Sequence, residues 1–322
     1  MKKLITILCV LAMILALTAC GGSEAPSAPA DSGYSVGICQ LVQHPALDAA
    51  TQGFKDALVD KLGDEVSFIE QNASGDSATC ATICNQLVGE EVDLILANAT
   101  AALQAASAAT NQIPILGTSI TDYGTALGMA DFSGTSGTNI SGTSDLAPLD
   151  GQAQMLKEMF PDAKTVGLLY CSGEPNSKYQ ADVIAPMLEE LGFSVSAYTF
   201  ADSNDVSNVT ASACGDCDVL YIPTDNTAAS CTEAINNVAQ PAGVPIICGE
   251  EGICSGCGVA SLSISYYDLG WATGEMAAEI LSEGADVSSM EIRYAPKFEK
   301  KFNADICSAL GVTAPADYIA IG

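Results

Sequence analysis

The side chains able to do chemistry in this sequence are acids, amides and hydroxyls, with hardly a base among them. Glu174, Asp225, Glu250 and Glu251 stand in short segments between apolar runs, and Asp145 follows a Gly/Ser/Thr-rich stretch; Lys178 is the one basic residue close to any of them. Thr100, Ser119, Thr121, Ser144, Ser177 and Thr224 offer hydroxyls, and Gln43, Asn176 and Asn226 offer amides, in similar segments. A set so poor in Arg and Lys is badly suited to phosphate or sulfonate. It suits a ligand carrying an ammonium group, whose carboxylate is left to hydroxyls and to N–H groups at helix starts. A zwitterionic amino acid meets that description. Each group also has a structural use: Ser and Thr favour helix N-caps, and an acid just before a helix, as Asp225 is expected to be, complements the helix dipole.

His44 is the single histidine, so a Ser-His-Asp triad would have to use it. No G-x-S-x-G elbow and no Walker-type phosphate loop is present. His44 precedes Pro45 and is expected on a cleft wall, stacking or hydrogen-bonding, with Tyr266 as a second wall. The expectation is a binder and not an enzyme, with no catalytic residue, no cofactor and no metal. Two C-x-x-C pairs, Cys214–Cys217 and Cys254–Cys257, hold open a redox or metal-binding alternative. They are too far apart for a compact zinc ribbon, and no histidine lies near either. Idle thiols or a local disulfide account for them, since a chain of this size needs no disulfide frame.

The first residues decide where such a binder works. Lys2 and Lys3 precede an apolar run, Leu4–Leu17, and then Leu17-Thr18-Ala19-Cys20. A basic start, a short apolar stretch and small residues before a cut describe a secretory signal. The run falls short of the roughly 20 residues that span a bilayer. Cys20 directly after Ala19 resembles the bacterial lipobox, which implies cleavage before Cys20 and its lipidation, and so an extracytoplasmic protein anchored to the membrane face. Residues 21–33, rich in Gly, Ser, Ala and Pro, then read as a flexible tether. Loss of residues 1–19 takes away two lysines and no acid, so the net charge of −28 becomes −30. That excludes a nucleic-acid binder, which needs a basic surface.

Stepping from these residues to the elements that must hold them, short aliphatic runs alternate with amphipathic stretches. Strand-like segments at 35–41, 65–71, 92–97 and 113–118 are separated by helix-like ones at 46–61, 76–88 and 100–109. This alternation builds a parallel sheet with helices on both faces. The plan then repeats. Thr165-Val-Gly-Leu-Leu echoes Ser35-Val-Gly-Ile-Cys, Asp218-Val-Leu-Tyr-Ile echoes Asp93-Leu-Ile-Leu-Ala, and Val244-Pro-Ile-Ile echoes Ile113-Pro-Ile-Leu, at offsets of 130, 125 and 131 residues. The spacing predicts an α/β protein of two Rossmann-like lobes joined by a hinge. The expected boundaries are 1–19 for the signal peptide, 20–33 for the tether, 34–143 plus 265–290 for the first lobe, and 144–264 plus 291–322 for the second. The glycine-rich stretch 133–142 is expected as a loop before the seam, and Trp271 as a core residue of a long helix. Ligands bind beyond the carboxyl ends of strands in such sheets. That rule selects loops at Gln43–His44, Ala99–Ala101, Thr118–Thr121, Gly173–Ser177, Thr224–Asn226 and Gly249–Gly252.

Several of these loops carry a family likeness. Gln40-Leu-Val-Gln-His44-Pro-Ala-Leu-Asp48, Gln71-Asn-Ala-Ser-Gly-Asp76, Asn139-Ile-Ser-Gly-Thr-Ser-Asp145-Leu, Gly173-Glu-Pro-Asn-Ser177, Pro223-Thr-Asp-Asn226, Gly249-Glu-Glu-Gly252 and Tyr266-Tyr-Asp-Leu-Gly270 follow one another in order. Together they resemble the ABC-transporter substrate-binding lipoproteins associated with uptake of tryptophan, tyrosine and phenylalanine. The resemblance covers essentially the whole chain after the signal. It implies a type I periplasmic-binding-protein architecture, a monomeric receptor and ABC permease subunits as partners. The cysteine load around Cys254–Cys257 departs from the family pattern. An aliphatic amino acid or a nucleoside remains open as the cargo.

Overall fold

A computed structural model describes residues 33–295 and 297–321; Cys20, the signal and nearly all of the tether lie outside the described residues. Two sheets of one design carry the chain. In the first, β1 (Tyr34–Gln40), β2 (Val66–Asn72), β3 (Leu94–Asn98), β4 (Ile115–Ile120) and β5 (Ile140–Ser144) lie in the order β2-β1-β3-β4-β5, all parallel. In the second, β6 (Thr165–Cys171), β7 (Ser194–Phe200), β8 (Val219–Ile222), β9 (Ile246–Cys248) and β10 (Ala260–Ser263) take the equivalent order β7-β6-β8-β9-β10. Outer strands complete each edge: β11 (Arg293–Tyr294) runs parallel to β5, β12 (Glu299–Phe302) antiparallel to β10, and β13 (Ile319–Ala320) lies outside β12. The central strands β3 and β8 are wholly buried, as sheets covered by helices on both faces require.

The sequence repeat is a repeat of bonding. Asp93 Oδ2 accepts from Ser35 N at 2.7 Å, and Asp218 Oδ2 accepts from Lys164 N and Thr165 N at 2.7 and 2.9 Å. In both lobes a carboxylate at the start of the third strand therefore ties down the N–H groups that open the first. Pro114 and Pro245, which lack a donor of their own, each lend a carbonyl to the neighbouring strand, at Ile95 and Leu220.

Twelve helices flank the sheets in the described residues. They are α1 (Pro45–Leu62), α2 (Ser77–Gly89), α3 (Thr100–Ala109), α4 (Tyr123–Leu127), α5 (Leu149–Met159), α6 (Pro175–Glu190), α7 (Val206–Asp216), α8 (Asn226–Ser230), α9 (Thr232–Ala242), α10 (Glu251–Cys257), α11 (Tyr266–Glu283) and α12 (Ala304–Leu310). The closest helix pair is α1 against α11. A Cβ on Gly270 would stand 1.9 Å from the Ala50 carbonyl oxygen, and one on Gly53 2.1 Å from that of Tyr267. Glycine at these two positions lets the backbones touch.

Three expectations need correction. The first sheet takes β11 as its edge strand, so the first lobe runs past residue 290 to Tyr294, and its strand β5 runs through Ser144; the lobes are joined by crossings after Ser144, Ser263 and Tyr294. The glycine-rich stretch gives way at Ile140 to a fully buried strand instead of continuing as a loop to the seam. Trp271 is half-buried against Tyr267 one turn away, because the α1–α11 seam takes the glycine face of the helix and leaves the indole outside it.

Candidate functional site

The carboxyl ends of both sheets face one another across a closed cleft. A small, narrow cavity lies there, lined by His44, Leu47, Ser119, Thr121 and Asp145 on one side, Asn176, Thr224, Asp225, Asn226, Ala229 and Glu250 on the other, and Tyr266 at the crossing into α11. His44 Nε2 stands 3.3 Å from Asn226 Oδ1, a contact between the lobes. Among the described residues no Lys or Arg lines this cavity.

On the second-lobe side the polar groups are engaged by their own backbone. Asp225 caps α8, with Oδ1 accepting from Ala228 N and Oδ2 from Cys171 N, both at 2.7 Å. Glu250 caps α10, accepting from Gly252 N at 2.5 Å and from Ile253 N. Glu174 accepts from Asn226 N and Nδ2 and from Thr227 N and Oγ1, so it secures the start of α8. The Thr224 carbonyl gathers Asn176, Ser177 and Gln180. Burial pushes the Asp225 carboxyl up to about 8, helped by the Glu174 charge, and that of Glu250 up to about 7.

On the first-lobe side three buried polar atoms have no protein partner: His44 Nδ1, Ser119 Oγ and Asp145 Oδ1. Asp145 N bonds Ile120 O, which sets the carboxylate beside the end of β4 with Ser119 and Thr121. Its Oδ2 accepts from Tyr266 Oη at 2.9 Å. Burial raises this carboxyl to about 6, with the Tyr266 and Thr121 hydroxyls restraining the shift. Burial also holds His44 below the usual imidazole value, against the pull of Asn226 and Glu174. One non-glycine residue of the cavity, Ser119, has left-handed backbone, at φ 57°. Such conformations cost on the order of 1–3 kcal/mol and gather at ligand-holding loops.

Of the residues expected at the site, His44, Ser119, Thr121, Asp145, Asn176, Thr224, Asp225, Asn226, Glu250 and Tyr266 are brought together. The others are not. Gln43 is exposed outside the cavity. Thr100 is buried at the first turn of α3, and Ala101 faces a separate, wider groove beside the cleft, which Glu174 also lines. Ser177 is buried beneath the Thr224 carbonyl. Ser144 braces the crossing, donating to Thr121 O and accepting from Leu146 N. Glu251, expected without a cation nearby, pairs with Lys301 at 2.6 Å outside the cavity, since β12 brings that lysine in from fifty residues away. Lys178 pairs with Asp182 on the surface. Sequence reasoning missed Leu47 and Ala229; each lies one helical turn after a cavity residue, His44 and Asn226, and that spacing was the available signal. It also missed Gln180, which bonds both the N–H and the carbonyl of Thr224.

All eleven cysteines of the described region are free thiols, nine of them buried. Cys254 and Cys257 lie inside the core between α10 and the second sheet.

Two parallel sheets joined by three crossings, with a polar cavity closed between their carboxyl ends, define a two-lobe solute receptor of the type I periplasmic-binding class. The chain belongs to the ABC transporter substrate binding protein family, whose model matches residues 35–320. That is a family of solute-binding proteins and not of enzymes, and its members work outside the cytoplasm. The chain is 37% identical over 279 residues to a tyrosine-binding protein of Clostridioides difficile (strain R20291), spanning 86% of this chain and 80% of that one. The L-Trp complex of an ABC domain from Streptococcus pneumonia superposes with a TM-score of 0.86 at 30% identity, over 90% of this chain and all of that one. A ligand-free, open substrate binding protein with adhesive properties from Clostridium difficile is nearer in sequence, at 37% over 89% of this chain and 99% of that one. It superposes less well, with a TM-score of 0.69. The closed cleft accords with that order of scores.

Proposed function

We propose that the cavity takes up an amino acid with an aromatic side chain and presents it to the permease subunits of an ABC importer. The observation that carries this is Asp145 Oδ1, a buried carboxylate oxygen without a partner on a wall that bears no cation among the described residues. A ligand ammonium group supplies both the missing charge and the missing donor. Ser119 Oγ and the N–H groups past β4 take the carboxylate. The aromatic class is supported by the tyrosine-binding relative and the L-Trp complex. The protein acts as a monomer, held outside the membrane by lipid on Cys20; Cys20→Ala should leave it in the soluble fraction or block its maturation.

Titration calorimetry on the unlipidated protein tests the site. L-Tyrosine or L-tryptophan should bind, their N-acetyl forms should not, and Asp145→Asn should weaken binding by about thirtyfold or more, roughly 2 kcal/mol. Native affinity in Asp145→Asn would remove Asp145 from the site. A thermal-shift screen across the twenty amino acids and common nucleosides separates an aromatic cargo from an aliphatic or nucleoside one.

A further inference from the structure

We propose that His44 reads a hydrogen-bond donor on the ligand's side chain, so that the site selects tyrosine and tryptophan against phenylalanine. The proposal deepens the amino-acid reading above and rests on it. It begins two residues away from the ligand. Glu174 Oε2 lies 3.0 Å from Asn226 N and 2.7 Å from Asn226 Nδ2. An ionised carboxylate only accepts, so the amide nitrogen of Asn226 must face Glu174 and its oxygen must face away. That oxygen faces His44 Nε2 at 3.3 Å. An oxygen acceptor there requires Nε2 to carry the hydrogen. Burial keeps the ring neutral, so the other nitrogen is a bare lone pair. The chain Glu174, Asn226, His44 thus fixes one tautomer, and Nδ1 can only accept.

Nδ1 belongs to a side chain 7% exposed and has no partner in the protein. The two aliphatic residues of the cavity flank this bridge, Leu47 one turn on along α1 and Ala229 one turn on along α8. An aromatic ring lying along them ends at His44, while Asp145 and Ser119 hold the ammonium and carboxylate. The donor that remains is a phenol O–H or an indole N–H. Phenylalanine has neither and leaves Nδ1 buried and bare, which is the costly outcome for a polar group. Sites built around a ligand hydroxyl reject the analogue that lacks it far more strongly than a missing methylene would be rejected.

The test is calorimetry with L-tyrosine, L-tryptophan and L-phenylalanine on the whole mature chain and on His44→Leu. His44 makes no side-chain cap to α1, so its replacement leaves the helix start as it is. The native protein should bind phenylalanine at least about tenfold more weakly than the other two. In His44→Leu all three lose the contact that His44 makes with Asn226 across the lobes, and the tyrosine and tryptophan affinities should fall at least about tenfold further than that of phenylalanine, so that the preference vanishes. Equal binding of all three by the native protein, or a preference that survives in His44→Leu, overturns the role of His44 and leaves the amino-acid reading standing. Failure of all three to bind overturns both.

Discussion

At the cleft the second lobe presents carboxylates already occupied, while the first presents polar atoms left waiting. Asp225, Glu250 and Glu174 each hold two or more N–H groups of their own lobe. His44 Nδ1, Ser119 Oγ and Asp145 Oδ1 hold nothing. Both lobes share one strand order, so the difference does not come from the fold. It comes from where the acids fall relative to helix starts: an acid at an N-cap is consumed by the helix, whereas Asp145 sits on a crossing with no helix to cap. One lobe is a finished frame, and the other is completed by its ligand.

The contrast is sharpest when Asp145 and Asp225 are exchanged for neutral residues in separate variants. Asp145→Asn loses binding by about thirtyfold, with folding stability at neutral pH unchanged or higher, because a buried unpaired charge has been removed. Asp225→Ala does the reverse: it strips α8 of its cap and leaves Cys171 N–H unpaired. Unfolding free energy should drop by about 2 kcal/mol in urea denaturation, with affinity within about fivefold. Loss of binding in Asp225→Ala at unchanged stability would dissolve the distinction between frame and reader.

Acidity gives a second test of intermediate size. The Asp145 carboxyl is raised to about 6 against roughly 3.9 in an unfolded chain, so the folded form holds its proton longer. Stability due to this group is therefore lost as pH rises from about 4 to about 6, and an ammonium ligand restores it above that window. Affinity should fall about tenfold per unit as pH drops below 6, where the proton must first be expelled. A flat affinity between pH 5 and 7.5 would show that Asp145 does not meet the charge. Glu251→Gln is the smallest change: it breaks a half-exposed pair with Lys301, and affinity should stay within about twofold and stability within about 1 kcal/mol.

The two-lobe repeat was legible because the same local rules act twice. Asp93 and Asp218, and Pro114 and Pro245, stand where backbone groups of the neighbouring strand need partners, and so they recur in the sequence. β11 was not legible: it spans two residues, and only its pairing with β5 makes it a strand. At the site, types and loops were readable but allegiance was not. Asp225 was expected just before a helix, but the sequence around it did not show that capping α8 and holding Cys171 N–H would use both its oxygens, and the Lys301 partner of Glu251 comes from a strand added after the third crossing. The thiols of Cys254 and Cys257 looked like a motif and proved to be small core residues, as free cysteine commonly is.

The glycine seam between α1 and α11 has a consequence for how a ligand is caught. His44 and Tyr266 stand at the N-terminal ends of those two helices, and the helices are locked backbone to backbone where Gly270 meets Ala50. These two walls of the cavity form one stiff jaw. Capture then requires little ordering of loops, so the entropic penalty that weakens flexible sites is small here. What remains to move is the whole second lobe about its three connecting strands. Uptake should accordingly be timed by that swing, and stiffening those connections would slow arrival and departure together while leaving the equilibrium nearly where it was.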